Sequence, residues 1–75
     1  MIALASAKNG ECGTVAALKT EDEAVIRKLM AMGVIPGISI TLEQRFPSYI
    51  IKVGRTRAAL DRETAQSIFV KMSGS

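Results

Sequence analysis

Seventy-five residues with a formal charge of +3 and no histidine set narrow limits on what this chain can do. A domain of that size buries only about 60% of the surface its unfolded chain exposes, and with 48% hydrophobic but 4% aromatic residues its core has to be aliphatic. A large, shaped catalytic pocket is disfavoured, and the missing imidazole removes the usual general base and the commonest nitrogen ligand for a metal.

One cysteine, Cys12, rules out an internal disulfide and favours a cytoplasmic setting. The longest apolar runs fall far short of the ~20 residues a membrane span requires, so no direct membrane insertion is expected. Residues 1–7 are apolar and small, as in a signal peptide, but no positive region precedes them, and they read as mature sequence. The basic charge fits an anionic partner, nucleic acid included, and equally fits ordinary solubility.

In chain order, Ile2 and Leu4 anchor an apolar lead-in that turns at Lys8-Asn9-Gly10. Residues 13–18 read as a short strand with apolar residues on both faces, Val15 and Ala17 against Ala16 and Leu18. Thr20 and Glu23 have the spacing of a capping box, with Thr20 as the N-cap. Val25, Leu29 and Met32 then recur at helical spacing, widened by Ile26 and Met30.

The stretch from Leu29 to Leu42 carries the clearest signals. Gly33 suits a left-handed position just past a helix, which pairs Leu29 with Val34 in a Schellman motif. Pro36-Gly37 fits the centre of a type II turn. Beyond it the period changes to two, with Ile38, Ile40 and Leu42 on one face of a strand over residues 38–45. Phe46-Pro47-Ser48 interrupts that strand, and Tyr49, Ile51 and Val53 share a face of the next. Gly54-Arg55 forms a tight hairpin to a strand over residues 56–60. Asp61 caps one helical turn, residues 67–71 form the last strand, and Ser73-Gly74-Ser75 reads as a flexible tail.

Five short strands in a chain too small for a sandwich predict a small closed barrel, with a helix between strands 1 and 2 and a helical turn before the last. One domain spans residues 1–75, its core covering about 4–71 and its tail 72–75. The Gly10–Gly13 turn, the run from Leu29 to Gly37, and Ala58-Ala59-Leu60-Asp61 leading to Ala65-Gln66-Ser67-Ile68-Phe69-Val70 together resemble the FeoA (ferrous iron transport protein A) domain. That resemblance, covering about residues 4–71, implies an SH3-like barrel without catalysis. It also implies a partner, the cytosolic GTPase-containing part of a membrane ferrous iron transporter. The same domain looks like the C-terminal module of metal-dependent repressors. With no winged helix ahead of it here, the free-standing accessory is the expected form, as a monomer. The rival reading is a nucleic-acid-binding or metal-dependent regulatory barrel.

No catalytic residue, cofactor or metal site is expected, because no CxxC, His pair or nucleophile–base pair is present. Cys12 beside Glu11 is half a metal site at most, and a buried small hydrophobe is the plainer reading. Glu21, Asp22 and Glu23 serve as cap and dipole complement in place of a cation site. Two partner-binding candidates remain. One is the corner of Met32, Ile35 and Pro36, with Met30 assigned to the core. The other is a basic hairpin patch of Lys52, Arg55 and Arg57, joined by Arg45, with only Tyr49 and Phe46 available to stack. Phe69 is assigned to the core.

Overall fold

A computed structural model describes residues 1–72 as one antiparallel sheet with two helices. The strands are β1 (Ile2–Ala3), β2 (Cys12–Leu18), β3 (Ser39–Gln44), β4 (Tyr49–Val53), β5 (Thr56–Leu60) and β6 (Ile68–Met72). Helix α1 (Glu23–Ala31) links β2 to β3, α2 (Arg62–Ser67) links β5 to β6, and a 3-10 turn covers Leu4–Ser6. The order across the sheet is β1-β6-β2-β3-β4-β5.

Six strands form where five were expected. The addition is β1, in which Ile2 pairs with Val70 and Ala3 with Phe69. Two residues are too few for an alternating pattern to register in a sequence. Met72 also belongs to β6 and not to a tail, while Ser73-Gly74-Ser75 lie outside the described residues. Among the described residues no ladder joins β1 to β5, so the expected closed barrel is an open, curled sheet. Register shifts between Val15 and Ala17, and between Leu42 and Gln44, mark bulges, which bend a strand and add twist.

The core is aliphatic, as the composition requires. Leu4, Leu29, Val34, Ile40, Leu42, Ile51 and Ile68 are all but fully buried, with Val25, Met32 and Tyr49 packed against them from the margin. α1 lays only Leu29 fully into this core. Met30, assigned there from the helix stripe, is 51% exposed, because it lies on the flank of a helix whose centre line runs through Leu29. Phe69 is half-buried on the outward side of β6, between inward Ile68 and Val70, and Lys19 Nζ sits 4.9 Å from its ring centroid.

The start of α1 differs from the expected capping box. Asp22 is the N-cap, and its carboxylate accepts the Ala24 N–H at 2.9 Å. Thr20 Oγ1 instead accepts the Asp22 N–H at 3.2 Å, a hydroxyl turn leading into the cap. Aspartate caps at least as well as threonine, and here it stands two residues nearer the apolar stripe.

The start of α2 matches expectation. Asp61 Oδ1 accepts the Thr64 N–H at 2.7 Å, and Ser67 Oγ donates to the Thr64 carbonyl at 2.6 Å. The Thr64 hydrogen bonds, helped by the Lys28 charge, hold the Asp61 carboxyl below its ordinary value. A carboxyl lowered on folding stabilises the fold above its unfolded pKa, about 3.9, and loses that contribution as pH falls through the folded value. Thermal unfolding followed from about pH 5 to about pH 3 is therefore expected to fall more steeply for the parent than for Asp61→Asn. Parallel curves for the two proteins would remove the charge from the cap's role.

Candidate partner-binding surfaces

The corner between α1 and β3 is built by backbone geometry. Gly33 has φ +91°, the Val34 N–H donates to the Leu29 carbonyl at 2.9 Å, and the Gly33 N–H donates to the Met30 carbonyl at 3.0 Å. These are the two bonds of a Schellman motif, with Leu29 and Val34 both buried beneath it. The Ile38 N–H then donates to the Ile35 carbonyl at 3.1 Å around Pro36-Gly37, and Gly37 has φ +95° as a type II turn demands. Two bonds of 2.8 Å pin the corner to β2, from the Gly37 N–H to the Val15 carbonyl and from the Val15 N–H to the Ile38 carbonyl.

What this corner presents differs in part from what its sequence promised. Ile35 is 41% exposed and Pro36 is exposed, but Met32 is half-buried against the core. Met30 and Ile38, the latter 36% exposed, take its place on the surface. Ile38 shares the parity of inward Ile40 and Leu42 but lies outside the strand, where nothing packs over it as fully. The signal was present for Met30, which flanks the apolar stripe. For Ile38 it needed the strand's true start.

The hairpin candidates divide into two places. Lys52 and Arg57 are cross-strand partners on the outer face of β4 and β5, and Arg55 lies in the connecting turn. Arg57 Nε also donates to Glu43 Oε1 at 2.6 Å, and this bond raises the Arg57 pKa. The patch is therefore partly neutralised from β3. Arg45 does not join it. Tyr49 pairs with Leu60 at the far end of the hairpin from Val53 and Thr56, about 13 Å away at ~3.3 Å per residue. Arg45 and Tyr49 line a concavity at that far end with Phe46, Lys8 and Arg62. There Arg45 Nη2 donates to the Ala5 carbonyl at 3.2 Å.

Cys12 is exposed, contrary to its expected burial, because β2 alternates outward Cys12 and Thr14 with inward Gly13 and Val15. Its neighbour Glu11 accepts the Lys8 N–H at 2.7 Å. Among the described residues, no group of three or more His, Cys, Asp or Glu side chains is placed to hold a metal ion. Among the same residues, no helix is long and apolar enough to cross a membrane.

Comparison with known proteins puts this geometry in a family. A candidate Fe(2+) transport protein A of Leptolyngbya boryana is 31% identical over 67 residues, spanning 88% of this chain and 82% of its own length. The crystal structure of an iron uptake regulatory protein, FeoA, superposes with a TM-score of 0.85 at 27% identity, covering 95% of each chain. FeoA of Stenotrophomonas maltophilia, solved with zinc and described as a prokaryotic SH3 domain protein, matches with a TM-score of 0.83 over 95% of this chain and 91% of its own. At 21% identity that last likeness carries the fold alone, and it makes this sheet SH3-like. The family model for the FeoA domain matches residues 2–72, from β1 through β6, and the chain belongs to the FeoA domain family.

Proposed function

We propose that this protein is a non-enzymatic accessory of ferrous iron transport that docks on the cytosolic, GTPase-containing part of a membrane Fe(II) transporter. Family membership supports the iron transport part of this reading. The docking part is carried by one observation: Met30, Ile35 and Ile38 are each exposed along a corner segment whose backbone is fixed at both ends by hydrogen bonds. A surface already held in one conformation loses little freedom on binding, so more of its apolar contact appears as affinity. The corner therefore acts as a rigid knob. The basic hairpin of Lys52, Arg55 and Arg57 supplies a flank for acidic side chains, chiefly by steering encounter.

A docked module influences the transporter only through a difference in affinity between two of its states. Binding that depends on the bound nucleotide is thus the form regulation takes here. Met30→Glu and Ile35→Glu change exposed side chains, so both variants are expected to keep the parental unfolding midpoint. Each is expected to weaken pull-down of the full-length transporter by about tenfold or more, as for central interface residues. Parental capture by both variants, with the fold intact, would remove the corner from the interface.

A further inference from the structure

The concavity at the other end of β3 offers chemistry that the corner does not. It lies between the Lys8-Asn9 turn, the loop from Arg45 to Ser48, and the start of α2. Three of its lining side chains, Lys8, Arg45 and Arg62, are cationic and one, Asp61, is anionic. Asp61 Oδ1 accepts the Thr64 N–H at 2.7 Å as the helix cap, and the three cations outnumber its single negative charge. Arg45 spends one donor on the Ala5 carbonyl, and a guanidinium carries five. Phe46 lines the same concavity with 85% of its surface exposed, in a chain that has only two phenylalanines. Tyr49, half-buried against the core, also lines it.

We infer that this concavity is a second binding site, and that it takes a short, extended acidic segment of a partner protein bearing an apolar anchor residue. The cations pair with carboxylates of the segment, and its anchor packs on the Phe46 ring. Arginine and aromatic side chains are the residue types that dominate interface energetics. A single-stranded nucleic acid is the poorer fit, because it needs cations tracking along a backbone. The next basic cluster, Lys52 with Arg55 and Arg57, lies at the far end of the hairpin, and Glu43 partly neutralises it. The positive charge is local and suits a short ligand. The site shares no residue with the α1–β3 corner, so it stands or fails apart from docking there.

The test is amide chemical-shift mapping on the full chain with three probes: a blocked Glu-Glu-Phe-Glu-Glu peptide, its lysine counterpart, and oligothymidylate. The acidic peptide is expected to give saturable shifts at Lys8, Arg45, Phe46, Tyr49 and Arg62, and the lysine peptide none. Phe46→Ala is expected to weaken the acidic peptide about tenfold or more with an unchanged unfolding midpoint, while Arg55→Ala and Ile35→Glu leave its affinity at the parental value. The inference is overturned by no shift with the acidic peptide, by shifts spread equally over residues 52–57, by indifference to Phe46→Ala, or by tighter binding of oligothymidylate to the same residues.

Discussion

Leu29→Ala is expected to lower the unfolding midpoint by about 10 °C or more. Leu29 is the one α1 side chain with no solvent exposure, and its carbonyl accepts the Val34 N–H that closes the corner. Truncation opens a cavity between α1 and the sheet, at a cost of about 2–5 kcal/mol for a buried leucine. A chain of this length has roughly 4–11 kcal/mol of stability in total, so the variant loses a large share of it. The adjacent Met30→Ala serves as the control. Its side chain is half exposed, and the change is expected to stay within about 0.5 kcal/mol. Denaturant titration of both variants separates them. Equal losses would show that α1 does not face the sheet as described.

Gly13→Ala is expected to be nearly as damaging, for a different reason. Gly13 sits in β2 opposite Met72 of β6, and a Cβ there would lie 2.7 Å from the Lys71 carbonyl oxygen. Backbone cannot swing aside as a flexible side chain does, so the β2–β6 ladder has to spread, at a cost of about 1–3 kcal/mol. Gly33→Ala provides the contrast. At φ +91° the strain is that of left-handed backbone alone, about 1–2 kcal/mol, since the nearest atom to its Cβ is Val53 Cγ1 at an ordinary 3.6 Å. Backbone amide exchange tells the two apart. Gly13→Ala accelerates exchange along β6, whereas Gly33→Ala accelerates it at the end of α1. A neutral Gly13→Ala would contradict the close strand approach.

These two glycines show what the sequence could and could not reveal. Gly33 announces itself because its neighbours are a helix stripe before and Pro36-Gly37 after, all local signals. Gly13 is needed because of Lys71, far along the chain, and no local pattern carries that. The same division holds elsewhere. The Asp61 cap, the Gly54-Arg55 hairpin and the parity of Tyr49, Ile51 and Val53 were legible, since each depends on residues close in sequence. The Glu43–Arg57 pair and the separation of Arg45 from Lys52 were not, because both depend on how β3, β4 and β5 align: Thr41 stands opposite Lys52 and Lys52 opposite Arg57, which leaves Arg45 beyond the far end of β3. A one-residue slip in a ladder changes which side chains meet. Met30 and Phe69 were misassigned by treating apolar character as burial, which fails in a thin core that cannot cover every large side chain.

The role of the corner decides between an iron transport accessory that works by docking and one that works otherwise. Two surfaces stand at opposite ends of β3, one apolar and fixed, the other basic and aromatic. The first carries the proposed function. The most direct measurement is amide shift mapping of this protein against the full transporter in detergent or nanodiscs, in the GTP-bound and GDP-bound states. Shifts centred on Met30, Ile35 and Ile38 are expected, with affinity that differs between the two nucleotide states. No shift at that corner in either state, at transporter concentrations well above micromolar, would contradict it.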